Sequence, residues 1–368
     1  MTRELFSARR IFVNDYSDPL SVMNRLFAGW WCRDRFCFLN KFSPLRICDE
    51  LDTDAKALLE AKELPREIKI NDVIDAQAQR ILAFNQPIAV SWSGGVDSTC
   101  VIVALLRNGL EPQDLTVIHA ESSKEEYPFF YRWMLNHKVN LIEDNQVRKQ
   151  YSRFEGKIVT GWCADQLFGS DIHLRNVSLY NEPWIDALKI AMTERNIHLT
   201  DKSFDVIESI YQEYASVLGL KLEQFCEFAW LYNFGCKWTY VIDESQLACE
   251  TQAMRDKFVP FFAHLDFQRY SLRRFSRLRE VNVNQVNKFY KRPLKKYIYE
   301  YLNDANYLNN KGKKNSWALT EDIDTRVGIH DTEGYRQFKF KGMSETHGVN
   351  YFHLYNKVRD LYLKDEYK

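Results

Sequence analysis

The chain reads as an α/β protein, a parallel-sheet domain followed by a mainly helical region. Three observations predict this. A short apolar strand runs straight into a glycine turn and a helix over residues 87 to 109. Strand-like and helix-like runs then alternate as far as Gly161, and beyond residue 200 apolar residues recur at helical spacing.

Ile88 to Val90 is the β-branched, apolar run that a buried strand needs, and Ser93-Gly94-Gly95 follows as a turn with almost no side chain. Asp97 or Ser98 is expected to cap the next helix, which carries Val101, Ile102, Ala104, Leu105 and Leu106 and stops at Gly109. A helix that begins at a glycine loop aims free N–H groups and the positive end of its dipole at an anion, which makes a phosphate cradle. The GxxxxGK(S/T) spacing of a Walker A loop is missing, so a P-loop kinase or GTPase is disfavoured.

Further along, Leu115 to Ala120 reads as a second strand, Tyr127 to Asn136 as a helix, Val139 to Ile142 as a third strand and Lys157 to Gly161 as a fourth. This alternation implies βαβ units and a ligand seated beyond the carboxyl ends of the strands. Phe204 to Leu218, Leu222 to Phe234 and Cys236 to Met254 read as helices, with no strand of comparable quality after residue 200. On its own, Pro260 signals only a helix boundary.

Composition narrows the classes. The 50 basic and 50 acidic side chains cancel, so the whole-molecule charge argues for no polyanionic partner. Eight cysteines form no CxxC pair, which fits a reducing compartment, and no stretch approaches the ~18 unbroken apolar residues of a membrane span. A cytoplasmic protein without membrane contact is expected. Residues 1 to 75 form an aromatic-rich region in which Arg33, Arg35 and Lys41 interleave with Trp30, Trp31, Phe36 and Phe38. That region is either a small packing unit or a surface that stacks on a nucleotide or nucleic acid. From Asp52 to Glu67 it turns polar and helical. Arg269 to Lys296 holds ten basic residues against the single acid Glu280, and reads as a solvated helix face, a counter-charge for pyrophosphate, or a nucleic-acid contact. Residues 318 to 368 form an extension ending in a helical tail from Asn350.

The string Ser93-Gly94-Gly95-Val96-Asp97-Ser98 resembles the SGGxDS loop of the PP-loop ATP pyrophosphatase superfamily, whose domain is adenine nucleotide alpha-hydrolase-like. Gly161-Trp162-Cys163-Ala164-Asp165-Gln166-Leu167-Phe168-Gly169 resembles the G-x-x-x-D-E-L-F-G segment of the asparagine synthetase and β-lactam synthetase family. The resemblance implies a synthetase domain over residues 76 to 317, with ATP held by Ser91, Ser93, Gly94, Gly95, Val96, Asp97, Ser98, Thr99 and Gly161. It implies Mg²⁺ shared by Asp97 and Asp165, hard carboxylate oxygens being right for that ion, and a catalytic lysine among Lys311, Lys313 and Lys314. A lysine of the basic stretch is a further candidate for that role. The structural alternative for Asp165 is a helix N-cap. Asp256 to Phe262 matches the family's E-x-R-x-P-F-L-D segment only at Pro260 and Phe261.

The implied reaction is ATP-dependent amide formation: a carboxylate is adenylated with release of pyrophosphate, and an amine displaces AMP. Trp162 stands where the family has a glutamate and Gln166 where it has an acid, which points away from asparagine itself as product. Thr2 replaces the cysteine of the family's glutaminase domain, and about 90 residues before the loop are too few for that domain. The expected amine is free ammonia, a substrate's own amine, or ammonia from a separate protein. Two other classes are compatible with the residues: a PP-loop enzyme modifying a nucleobase in tRNA or DNA, and a non-catalytic nucleotide-binding protein with a decayed site.

Overall fold

Five short strands, β1 (Ile88–Trp92), β2 (Leu115–His119), β3 (Asn140–Glu143), β4 (Lys157–Thr160) and β5 (Phe258–Pro260), pair in parallel in the order β3-β2-β1-β4-β5. The structure, a computed structural model, describes residues 35–36, 53–60, 69–143, 151, 153–168, 177–194, 201–238, 241–242, 253, 256–280, 291–311, 327–329 and 338–340. The helices among them are α1 (Thr53–Glu60), α2 (Ile70–Leu82), α3 (Val96–Arg107), α4 (Glu121–Glu126), α5 (Pro128–Asn136), α6 (Ala164–Phe168), α7 (Trp184–Thr193), α8 (Asp201–Val217), α9 (Phe225–Tyr232), α10 (Leu265–Arg274), α11 (Arg292–Leu302) and α12 (Ala305–Asn310). The two expected layers are therefore present, an α/β sheet unit and a helical region.

Strand alternation explains how the sheet is covered. Ile88, Val90, Trp92, Leu115 and Val117 point into the main core, while Ala89, Ile118 and Ile158 point to the other face and pack with Tyr151. Every residue of α3 from Ser98 to Leu106 is buried, so this helix is enclosed on all sides, between the sheet, α2 and α11. α2 contributes Val73, Ile74, Ala78 and Ile81 to the same core, and it runs unbroken across residues 75 and 76. The sheet unit therefore begins before the boundary that the composition suggested.

β5 corrects the expectation that no strand follows residue 200. Its three residues lie at the sheet edge against β4, and Pro260 both ends the strand and caps the 3-10 turn Phe261–Ala263, so it marks a helix boundary as expected. An edge strand tolerates a proline because the missing N–H faces no partner there. Three residues give too short a run for period-two alternation to appear in the sequence.

The helical region is apolar at its centre. All eight residues of α9 are buried, Trp184 stacks on Phe228 at 4.8 Å, and Trp230 stacks on Phe234 at 4.6 Å. α9 is closed at its start by a capping box in which the buried Glu227 carboxylate accepts from the backbone N–H groups of Glu223 and Gln224, at 2.7 and 2.9 Å, and pairs with Arg279 at 2.5 Å. The α9 end passes into a π turn over Asn233–Lys237, so the helix expected to reach Phe234 changes its winding at Tyr232. Of the expected helix from Cys236 to Met254, Cys236 and Lys237 belong to that turn, and most of the rest lies outside the described residues. Much of the polar helix from Asp52 to Glu67 and all of the tail from Asn350 lie outside them too. The described part of the C-terminal extension is an antiparallel pair, β6 (Val327–Ile329) and β7 (Phe338–Phe340).

Of the aromatic-rich N-terminal region, only Arg35 and Phe36 are described before residue 53. Arg35 is 1% exposed, which rules it out as a nucleic-acid contact. Its guanidinium lies 4.4 Å from the Trp238 ring centre and 5.3 Å from that of Phe234, and Nη2 donates to Gln268 Oε1 at 2.7 Å. Gln268 in turn donates to Asp54 and to the Ala263 carbonyl, so one buried amide ties residue 35, α1 and α10 together. Arg35→Ala removes this packing and leaves the buried amide oxygen of Gln268 without that donor. A loss of ~2 to 4 kcal/mol in denaturant unfolding is expected, and a loss below ~0.5 kcal/mol, the level of an ordinary surface change, would contradict the anchoring role.

Candidate functional site

The sheet order reverses between β1 and β4: β2 and β3 continue to one side, β4 and β5 to the other. Such a switch point opens a crevice at the carboxyl ends of the two central strands. β1 runs out there into Ser93-Gly94-Gly95, and β4 into Gly161-Trp162-Cys163.

The loop after β1 is tightly buttressed. Gly94 has φ +75°, and a Cβ there would come within 2.5 Å of both Glu126 Cβ and the Ser123 carbonyl oxygen. The Ser123 hydroxyl also donates to the Trp92 carbonyl oxygen at 2.9 Å, so α4 is pressed against the loop from behind. Gly95 is the N-cap of α3, and no side chain caps it. Neither Asp97 nor Ser98 does so, contrary to expectation. The Ser98 hydroxyl instead turns back into the loop, accepts from the Ser93 N–H at 3.1 Å and meets the Ser93 hydroxyl at 3.2 Å. α3, twelve residues long, starts without a capping side chain, so its first amides face the crevice.

Gly161 is required by proximity rather than by conformation. A Cβ there would sit 2.8 Å from the Ser98 amide nitrogen and 2.9 Å from Asp97 Cβ. β4 can therefore end flush against the first turn of α3, which brings α6 and its Asp165 opposite Asp97. Asp165 lies in the first turn of α6, one residue inside its start, and so is not the N-cap that the structural alternative proposed. Cys163, two residues before it, is held at φ +72°, an uncommon conformation for a residue with a side chain.

Lys291 joins the two acids. Its Nζ lies 2.7 Å from Asp165 Oδ1 and also bonds Asp97 Oδ2. The Lys291 side chain is 3% exposed, whereas the two carboxylates keep about a quarter of their surface open. A second buried pair lies at the loop: Lys311 Nζ bonds Glu126 Oε1, with the lysine 8% and the glutamate 9% exposed. Glu126 Oε2 has no hydrogen-bond partner among the described residues. Lys295 fixes the position of Lys311 by donating to its carbonyl oxygen at 2.5 Å, and Asp304 caps α12 by accepting from the Tyr307 N–H at 3.0 Å. The backbone that presents Lys311 is therefore pinned at both ends of that short helix.

Of the residues singled out in the sequence, Ser93, Gly94, Gly95, Val96, Asp97, Ser98, Gly161, Asp165 and Lys311 come together at this crevice. Lys313 and Lys314 lie outside the described residues. Two expected ligand contacts are engaged elsewhere. Thr99 is fully buried and accepts from the Trp92 indole N–H at 3.0 Å, because the fourth residue of α3 faces the core. The Ser91 hydroxyl lies 2.5 Å from that of Tyr151, on the face of the sheet away from α3. Trp162 stacks on Phe258 at 5.5 Å, and Phe258 meets Tyr151 edge-on at 5.2 Å, so Trp162 continues an aromatic layer.

Sequence reasoning did not single out Glu126, and it held Lys291 only as one member of a charge run. No local signal marks either. Glu126 ends an acidic run that reads as a solvated helix, and Lys291 precedes Arg-Pro at a helix start in a left-handed conformation, φ 49° and ψ 31°. Five of the ten basic residues of the charge run are engaged or buried within the protein. Arg269 pairs with Asp266, Arg279 with Glu223 and Glu227, Arg292 donates to the Leu308 carbonyl, and Lys291 and Lys295 are buried.

Lys295 gives this site a pH signature. Burial, with Arg292 and Lys291 nearby, pushes its ammonium down to about 8. Its ordinary value is ~10.4, so between pH ~8 and ~10.4 the unfolded chain binds a proton that the folded chain does not, and stability rises with pH across that window. Below pH 8 the unfavourable charge is fully present. Wild-type protein is expected to gain stability relative to Lys295→Met between pH 8 and pH 10 in denaturant titrations, and an unchanged difference would contradict the assignment.

These features define an α/β protein whose five-stranded parallel sheet carries a glycine loop, two facing aspartates and two buried lysines at one crevice. No protein-family model matches the chain, and no curated protein matches it. Among the described residues no helix is long and apolar enough to cross a membrane.

Proposed function

We propose that the crevice binds ATP with Mg²⁺ and that the protein is an amide-forming synthetase that adenylates a carboxylate and passes the acyl group to an amine or ammonia. The single observation that carries this reading is the meeting of Asp97 and Asp165, from two different strand–helix junctions, at one cation. It stands beside a glycine loop in front of an uncapped helix start.

Each residue has a role that its chemistry supplies. The Gly94 amide and the first turn of α3 bind phosphate oxygens. The two aspartates fit Mg²⁺, which takes one or two carboxylates and completes its shell with phosphate oxygens and water. When bound, Mg²⁺ supplies charge neutralisation at the phosphates. The Lys291 and Lys311 ammonium groups lie within the same crevice and stabilise negative charge that develops as pyrophosphate and then AMP depart. Burial raises the worth of these charges, because little water screens them. The PP-loop identity, the adenylating chemistry and the synthetase domain all belong to this proposal.

The internal engagement of Arg269, Arg279, Lys291 and Lys295 weighs against a nucleic-acid-modifying enzyme that would grip its substrate through the basic stretch. The buried, mutually paired charges weigh against a decayed site, since unpaired relics of this kind are costly to bury.

The test uses α-labelled ATP, Mg²⁺, ammonia and mixed amino acids, with the labelled product identified as AMP or ADP. AMP with pyrophosphate supports the reading, and ADP overturns it. Gly161→Ala is expected to weaken ATP binding more than tenfold in equilibrium dialysis, because its methyl group would push α3 and Asp97 away from Asp165. Unchanged affinity would separate the Gly161 junction from the nucleotide site.

A further inference from the structure

We propose that Lys291 is a built-in occupant of the divalent-cation position: its ammonium holds Asp97 and Asp165 together in the nucleotide-free protein, and a divalent cation binds between them by displacing it. This inference deepens the reading of the crevice as a metal–nucleotide site and rests on it for the identity of the cation.

The geometry makes the two cations mutually exclusive. One nitrogen bonds Asp97 Oδ2 and lies 2.7 Å from Asp165 Oδ1, so the carboxylates are no further apart than two hydrogen-bond lengths. A divalent ion shared by the same two oxygens needs the point that Nζ occupies. Nor is there an alternative cage nearby, since no group of three or more His, Cys, Asp and Glu residues able to hold a metal ion occurs among the described residues. A cation bound by the two aspartates therefore competes with the lysine.

The lysine is poorly placed to leave without a new anion. It is 3% exposed, and its backbone is in a left-handed conformation at the start of α11. A buried ammonium stripped of its carboxylates is strongly unfavourable. The phosphates of a nucleotide on the adjacent loop are an anion within the same crevice, with which a displaced Lys291 can pair. Metal and nucleotide therefore bind as a coupled pair, each weakly alone, and the coupling resides in one side chain. Removing its charge releases the metal site from that dependence.

The experiment measures Mn²⁺ binding without nucleotide, by the loss of the free-ion electron paramagnetic resonance signal, in wild type, Lys291→Met and Lys291→Met/Asp165→Asn. The expected result is one Mn²⁺ bound at least tenfold more tightly by Lys291→Met than by wild type, with the gain abolished by the added Asp165→Asn. Equal or weaker binding by Lys291→Met overturns the proposal. Should that variant fail to fold, wild-type protein decides the question through reductive methylation read by peptide mass spectrometry. Lys291 labelling is expected to rise as Mn²⁺ is added, and labelling unchanged at high Mn²⁺ overturns the proposal. Neither measurement contains ATP. An AMP-forming protein that fails them would keep the proposed function and lose this inference, and an inactive protein that passes them would do the reverse.

Discussion

Asp97→Asn and Asp165→Asn are each expected to lower AMP formation from ATP by about 10²- to 10³-fold, the range found when one pre-positioned electrostatic contact to a transition state is removed. Both changes keep the side-chain volume, so packing at the β1–α3 and β4–α6 junctions is preserved. Each leaves Lys291 with a single charged partner instead of two, and a stability loss of ~1 to 3 kcal/mol accompanies the loss of activity. The double variant should lose little more activity than either single one, because the two acids act on one cation and their effects are not additive. Steady-state AMP release, with unfolding midpoints measured alongside, checks this. A variant that stays folded and retains wild-type AMP formation would remove the aspartates from the mechanism.

Gly94→Ala is expected to cost both stability and nucleotide binding. Its Cβ would lie 2.5 Å from the Ser123 carbonyl oxygen and 2.5 Å from Glu126 Cβ, and the residue would have to hold φ +75°. Backbone oxygen cannot swing aside as a flexible side chain can, so either α4 moves or the loop abandons its conformation. We expect a loss of ~2 to 4 kcal/mol in stability, together with loss of nucleotide binding, because the loop that leads into the first turn of α3 no longer holds its place in the crevice. Gly109→Ala provides the control. That position also has positive φ, at +103°, yet a Cβ there meets nothing within 4 Å. Only backbone strain is added, ~1 kcal/mol, and nucleotide binding should be unaffected. Equal costs at the two positions would show that the buttress of α4 is unimportant.

Much of the sheet was legible along the chain because each of its first four strands is built around a short local run of apolar residues. The expected strands at 88–90, 115–120, 139–142 and 157–161 correspond to β1 to β4 with shifts of a residue or two at their ends. Gly109 follows α3 with φ +103°, as its position in the sequence implied. The helix expected at Phe204 to Leu218 is α8, and the π turn after α9 departs from regular winding where the Gly235 backbone must pass the Tyr214 hydroxyl, 1.8 Å from a Cβ placed there. β5 was illegible because its pairing with β4 joins residues about 100 positions apart and leaves no periodic trace.

The site divides in the same way. Sequence by itself determined the glycine loop, the helix behind it, the position of Asp97 in its first turn, and the Gly161 to Asp165 segment, since each is a contiguous string whose chemistry is local. Only the tertiary structure decided that Thr99 faces the core, that Glu126 lies against Gly94, and that one lysine of a stretch with ten basic residues is drawn between two aspartates. The reason is physical: a charge run records how many cations a segment carries, whereas burial and pairing depend on which distant acids the fold brings within reach. Lys291 lies 194 residues from Asp97 and Lys311 lies 185 from Glu126, and contacts over such separations are created by the closing of α11 and α12 onto the sheet.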